Sequence, residues 1–136
     1  MIIYEIKNKI MKAILAVNNL GFIGLNNGLP WRSKSDFKHF KSLTMGGKLL
    51  VGWNTYQTLP PLSGREVILH SYLNEDNYQN CDWCIGGRKT YEKFSSVFTE
   101  LHISHINDNT IGDTLFPDFK NLNPICKVFN YYFECD

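Results

Sequence analysis

The stretch Ile23–Thr44, IGLNNGLPWRSKSDFKHFKSLT, governs the reading of this chain. A loop rich in Asn and Gly runs to Pro30 and Trp31, and a helix start follows it. Ser33 stands three residues before Asp36, the spacing of a capping box with Asp in the place usually taken by Glu. Asp36, Phe40 and Leu43 then share one helical face, with Phe37 flanking it. The pattern predicts a carboxylate at the mouth of an apolar cleft, directly after a loop that can be mobile and still functional.

Upstream, KAILAV (12–17) reads as a central strand buried on both faces. Downstream, KLLVG (48–52) is a second strand, and Asn54 or Thr55 caps a short helix ending at Leu59, before Pro60 and Pro61. EVILH (66–70) is a third strand and WCIGG (83–87) a fourth, followed by a helix from about Lys89 to Ser95. LHISHI (101–106) is a fifth, and CKVFNYYFEC (126–135) closes the chain as one long strand or a bent pair. Strands alternating with helices indicate an α/β domain with a mostly parallel sheet. Residues 71–80 are too poor in helix formers for a crossover helix. Ile2–Ile6 alternate weakly and are expected to pair at a sheet edge, with an unstructured extension over residues 1–10 as the alternative.

A chain of 136 residues supports one hydrophobic core and not two, so a single domain spanning 1–136 must carry its own site. Nine Phe, seven Tyr and three Trp within 43% apolar content mark it as globular. No apolar run approaches the roughly 18 residues of a membrane span, and charges interrupt the opening MIIYEIKNKI, so neither a membrane segment nor a signal peptide is expected and the cytoplasm is the default. The net charge of +1 conceals an asymmetry: residues 1–68 carry nine Lys/Arg against three Asp/Glu, and residues 69–136 five against ten. The positive excess sits where an anionic small molecule would be held, and the dense basic clusters with interleaved aromatics of a nucleic-acid surface are missing. Cys81 and Cys84 have metal-ligand spacing, but Cys126 and Cys135 supply no second close pair, so no metal is expected. CDWC enters a strand rather than opening a helix, which argues against redox chemistry and for reduced core thiols.

In this order the chain closely resembles dihydrofolate reductases over roughly Lys12–Phe119, through AILAVNN, FIGLNNGLPW, SDFKHFK, VGWNTYQTLP, SGREVIL, IGGRKTY and GDTLFPDF. The resemblance implies a three-layer α/β domain whose mostly parallel central sheet ends in an antiparallel C-terminal edge. It also implies reduction of 7,8-dihydrofolate to 5,6,7,8-tetrahydrofolate with NADPH, by hydride transfer to C6 and protonation at N5. Dihydrofolate and antifolates such as methotrexate or trimethoprim are the implied ligands. A monomer is expected, with dimerisation through an altered sheet edge as the alternative.

By the same resemblance, Asp36 holds the pterin and assists protonation. A carboxylate suits this because it accepts two hydrogen bonds from an amino-pyrimidine edge and burial raises its pKa. Leu29 closes the loop over the reacting rings, Trp31 anchors a water near Asp36, and Ser104, where the family commonly has Thr, bonds the same carboxylate. Phe37 and Phe40 flank the substrate, with Leu59 and Leu62 opposite, and Arg65 grips its α-carboxylate through a planar fork. For the cofactor, Gly86 and Gly87 permit close backbone approach, and the following helix offers amides to the pyrophosphate. Gly52, Trp53, Asn54 and Thr55 form a second contact group, with His70 and Ser71 nearby. Ala16, Ile23, Gly24 and Leu29 are further implied cofactor contacts. Ile85, Arg88, Lys89, Thr90 and Tyr91 complete the set, and Asp113 orders the mobile loop.

Besides Ser104, the chain departs from the family pattern at three larger features. Trp53 stands where a basic residue usually meets the adenosine 2'-phosphate; an indole stacks on adenine but cannot pair a dianion, so NADH use is the alternative to NADPH. The segment between His70 and Cys81 is short, and little chain follows Phe119, which leaves one sheet edge incomplete. A ribosylaminopyrimidine reductase and a non-catalytic folate-binding or structural homologue are the competing functions. The LPW loop, the aromatic pair around Asp36 and Arg65 favour folate over the first.

Overall fold

The computed structural model describes residues 11–70, 78 and 80–136; the expected strand Ile2–Ile6, most of the short segment after His70, and Ser71 lie outside them. KAILAV sits within β1 (Met11–Asn18), whose apolar side chains alternate between two cores. Ala13, Leu15 and Val17 face one side and Ile14 the other. Around β1 run β3 (Lys48–Val51), β4 (Glu66–Leu69), β5 (Trp83–Cys84), β6 (Phe98–Asn107) and β8 (Lys127–Glu134), in the order β4-β3-β5-β1-β6-β8. Two short strands, β2 (Phe22–Gly24) and β7 (Thr114–Leu115), form a separate antiparallel pair.

Helix α1 (Lys34–Thr44) covers one face of the sheet, sending Phe40 and Leu43 against Leu49, Val51, Trp83 and Ile85. Helix α3 (Arg88–Phe94) covers the other, with Tyr91 and Phe94 packed among Leu50, Cys84, Phe98 and Leu101. This is the expected three-layer arrangement. The short helix α2 (Trp53–Tyr56) both starts and ends earlier than its sequence suggests, and Gly52, not Asn54 or Thr55, occupies its N-cap. Asn54 and Thr55 lie inside the helix and so cannot cap its start, and the Thr55 hydroxyl faces Gly87.

One expectation is overturned. The C-terminal edge is parallel, not antiparallel: β8 runs alongside β6 from Glu100↔Lys127 to Asn107↔Glu134. The physical reason is the length of residues 108–126, which lead the chain through β7 and the turns near Leu122 and Cys126 back to the start of β6. A hairpin connection of a few residues would have reversed the strand, whereas a long one permits a crossover. CKVFNYYFEC is thus one strand, and as the sheet's edge it exposes Val128, Phe129 and Tyr132.

The start of α1 is pinned from both sides. Ser33 is its N-cap; the hydroxyl accepts the Asp36 N–H at 3.3 Å and donates to the Glu134 carbonyl of β8 at 2.7 Å. Asp136 adds to this clasp, its amide bonding the Arg32 carbonyl at 2.7 Å and its carboxylate accepting the Lys34 N–H at 3.3 Å. Ser33→Ala is expected to lose about 0.5–2 kcal/mol, read as a lower urea midpoint at unchanged slope. An unshifted midpoint would mean that the cap carries no weight here.

Candidate active site

Ligand-binding clefts in parallel sheets open beyond the carboxyl ends of the strands, and the cavity here does so. About 1080 Å³ in volume, it runs from Ala16 on β1 past Gly52 after β3 and Ile85 after β5 to Ser104 on β6. Its walls collect the residues singled out in the sequence. Asp36, Phe37, Phe40, Leu59, Leu62 and Arg65 lie toward α1, with Leu29, Trp31 and Ser104. Ile23 and Gly24 come from β2. Trp53, Asn54, Thr55 and His70 line the side of α2 and β4, and Gly86, Gly87, Arg88, Lys89, Thr90 and Tyr91 the side of α3. Asp113 is outside the wall.

Asp36 is the electrostatic centre. It sits in the first turn of α1 and is only 6% exposed. Burial raises its pKa above the ordinary carboxylate value, while the Ser104 side chain and the His39 charge pull it partly back. The expected reciprocal capping box is therefore half made, since Ser33 caps Asp36 while the carboxylate is held by Ser104. Nearby, the Trp31 indole Nε1 is buried with no hydrogen-bond partner among the described residues. A buried donor of this kind calls for a water or ligand acceptor.

Arg65 donates through Nε to the Ser63 carbonyl at 3.1 Å and lies over the Phe40 ring at 5.9 Å. Its guanidinium thus borders the apolar wall at the Phe40 and Leu62 end. Toward α3 the cavity is shaped by glycine. Gly52 N–H donates to the Gly86 carbonyl at 2.7 Å, and a Cβ on Gly52 would come within 2.5 Å of Thr90 Oγ1. Gly86 has φ of +121°, and the Gly86–Gly87 peptide is cis. Tyr91 closes the floor, donating its buried hydroxyl to the Ile14 carbonyl at 2.6 Å. Arg88 is not a free surface charge, because its Nε meets Glu92 at 3.0 Å. That carboxylate also accepts the Asp118 N–H at 2.6 Å.

The loop before α1 folds as a tight hairpin. Leu25 and Gly28 exchange backbone hydrogen bonds of 2.9 and 3.0 Å, and Asn26 and Asn27 take left-handed φ angles of 51° and 67°. Asp113 accepts the Asn26 N–H at 2.9 Å, and that bond, then Thr114, holds its carboxyl below the usual range. Trp53 is 58% exposed at the cavity rim and stacks on Tyr56 with centroids 6.1 Å apart. The thiols stand aside from this chemistry: burial pushes Cys81 up to about 11 and Cys84 up to about 12, so neither offers a thiolate near neutrality.

Comparison with known proteins agrees with this geometry. The family model for dihydrofolate reductase matches residues 10–84. The chain is 30% identical over 140 residues to a dihydrofolate reductase of Buchnera aphidicola, covering 89% of this chain and 84% of that protein. The chain belongs to the dihydrofolate reductase family. A dihydrofolate reductase of Bacillus subtilis is 27% identical over 129 residues, covering 81% of this chain and 77% of that one. A solved dihydrofolate reductase from Enterococcus faecalis, complexed with NADP(H) and RAB-propyl, superposes with a TM-score of 0.73 at 25% identity. It covers 83% of this chain and 80% of its own. The family's enzymes reduce dihydrofolate with NADPH.

The cavity wall also holds residues that the sequence reading did not single out: Ile14, Leu15, Asn27, Gly28, Lys41, Thr58, Pro60, Lys93 and Thr114. Lys41 was within reach, four residues after Phe37 on the same helical face. Thr114 was not, because it reaches the wall only through the pairing of β7 with β2.

Proposed function

We propose that Asp36 is the acid of a dihydrofolate reductase site. The chain reduces 7,8-dihydrofolate to 5,6,7,8-tetrahydrofolate, with hydride entering at C6 and a solvent-derived proton at N5. The observation that carries this reading is a buried carboxylate of raised pKa sharing one cavity with the glycine-shaped strand ends. A carboxylate so placed accepts hydrogen bonds from the amino-pyrimidine edge and favours the protonated product of hydride addition. Trp31 offers its unpaired indole N–H to a water beside that carboxylate, and Ser104 fixes the carboxylate's direction. Phe37, Phe40, Leu59 and Leu62 form the apolar slot, and Arg65 at its outer end meets a substrate carboxylate. Leu29, on the hairpin, shields the reacting region from water.

The strand-end residues fit a dinucleotide. Side chains are absent at Gly52, Gly86 and Gly87, where an added Cβ meets Thr90, Tyr91 and Thr55 respectively. Arg88, Lys89 and Lys93 bring positive charge to the wall beside them. NADPH supplies the hydride when bound, and the protein's part is to hold it against the folate and keep water out. The same cavity accepts antifolates such as methotrexate or trimethoprim. The chain acts as a monomer in the cytoplasm; among the described residues no helix is long and apolar enough to cross a membrane.

The assay is the NADPH-dependent loss of dihydrofolate absorbance by the folded protein. Turnover supports the reading, and folate binding without turnover would leave a binding homologue. Trp53 makes a sharper test of cofactor choice. Trp53→Arg is expected to raise the preference for NADPH over NADH by about tenfold, the worth of one added charge-assisted contact. An unchanged ratio would place the 2'-phosphate away from this residue.

A further inference from the structure

The hairpin that leads into Leu29 is held at its tip from two sides, through its two left-handed residues Asn26 and Asn27. The Asn26 N–H donates to the Asp113 carboxylate beside β7 at 2.9 Å. The Asn27 carbonyl accepts the hydroxyl of Thr58, which belongs to the turn after α2. Two further contacts lie beside that bond. The Asn27 side-chain amide reaches Gln57 Oε1 at 3.5 Å, and a Cβ added to Gly28 would lie 3.6 Å from Thr58 Oγ1. Asn27, Gly28, Leu29 and Thr58 all line the cavity, so these contacts join two parts of its wall.

Both attachments lie at the surface, where water competes for them, so their chemistry decides which one holds. A carboxylate acceptor makes a charge-assisted bond, roughly twice as strong as one between neutral groups. Asp113 is also tied to the small sheet, its own N–H donating to the Gly24 carbonyl at 2.9 Å. The bond from Thr58 is neutral and has no such backing. Its release leaves no donor orphaned, because the same hydroxyl has a second acceptor in the Thr55 carbonyl at 3.4 Å. The hydroxyl turns back onto α2, and the exposed Asn27 takes a water in its place.

We propose that Thr58 is the latch of this hairpin: its hydroxyl holds the tip against the α2 side, and the hairpin opens by leaving Thr58 while it still pivots on Asp113. Leu29 directly follows Gly28, the residue that closes the hairpin, and moves with it. Thr58 is thus a positioning residue that acts on the site through the hairpin, and its bearing on turnover rests on the reading of Leu29 as the shield of the reacting region. The acceptor is a backbone carbonyl, so the side chain that defines the latch is that of residue 58 alone.

The test is ¹⁵N relaxation-dispersion NMR on the ligand-free full chain, in the wild type, Thr58→Val and Thr58→Ser. Valine keeps the shape of threonine without the hydroxyl, and serine keeps the hydroxyl without the methyl. Loss of one neutral hydrogen bond is expected to raise the open population about threefold to tenfold. Thr58→Val should show this as a larger exchange contribution at the Asn27, Gly28 and Leu29 amides, with none added at Asp113 on the pivot. Thr58→Ser should match the wild type. Unchanged dispersion in Thr58→Val, a serine variant as mobile as the valine one, or an equal rise at Asp113 overturns the proposal. Thr58 is exposed, so neither variant threatens the fold. The measurement involves no substrate or cofactor, so its failure is distinguishable from failure of the catalytic reading, which the NADPH-linked assay tests separately.

Discussion

Asp36→Asn is expected to reduce dihydrofolate on the order of 10²–10⁴ times more slowly at neutral pH, while remaining folded and melting at a higher temperature than the wild type. The amide keeps the volume and the place in α1 but cannot hold a proton for N5, and its NH₂ group confronts the donor edge of the pterin. The deficit should narrow toward acid pH, where solvent supplies protons more readily. The stability gain follows from linkage. Burial raises the folded pKa of Asp36 above its unfolded value, so the native state binds more protons than the unfolded one. The stability this contributes is fully present below the ordinary carboxylate pKa and is lost as pH rises through the raised folded value. Above that point an ionised, buried carboxylate weighs on the fold, and asparagine removes the weight. Melts of the two proteins should therefore converge near pH 4 and separate toward neutrality, with the variant the more stable. Wild-type turnover in the variant would remove Asp36 from the chemistry. A melting difference that ignores pH would remove the buried charge from the stability argument.

A buried carboxylate that weighs on the fold is also what made this part of the candidate site legible. Asp36 breaks the rule that buried positions are apolar, and it does so within a local motif: a cap, a helical period and a preceding loop, all inside some twenty residues. β1 was readable for a similar reason, since its apolar run serves two cores and needs no partner to be recognised. IGGRKTY pointed to the α3 side of the cavity chiefly through the family resemblance, since two glycines at a strand end are by themselves a weak signal. What stayed hidden depended on distance along the chain. β2 and β7 are three and two residues long, too short to carry a period, and they pair Phe22 with Leu115. The direction of β8 was equally silent, because alternation along a strand is the same whichever way its neighbour runs.

The hidden β2–β7 pair is also where a small substitution should do large damage. Gly112 precedes Asp113, whose N–H donates to the Gly24 carbonyl at 2.9 Å and whose carboxylate holds Asn26. A Cβ at position 112 would overlap the Gly24 carbonyl oxygen and lie 3.0 Å from Phe22 Cβ. The first obstacle is backbone and cannot rotate aside, so β7 has to part from β2. Gly24 and Thr114 both line the cavity, and the hairpin carrying Leu29 hangs from the same pairing. Gly112→Ala is therefore expected to lose about 1–3 kcal/mol of stability from overpacking and on the order of 10²-fold in turnover, as misplacement of about 1 Å at a reacting site can cause. Gly46→Ala supplies the comparison. Gly46 has φ of +79° with nothing near an added Cβ, beyond the end of α1 and outside the cavity wall. It should lose about 1–2 kcal/mol through backbone strain with turnover intact. Equal losses of turnover in the two variants would make the effect one of general stability. A large loss confined to Gly112→Ala would tie catalysis to two strands, five residues in all, that meet across 93 positions of sequence from Phe22 to Leu115.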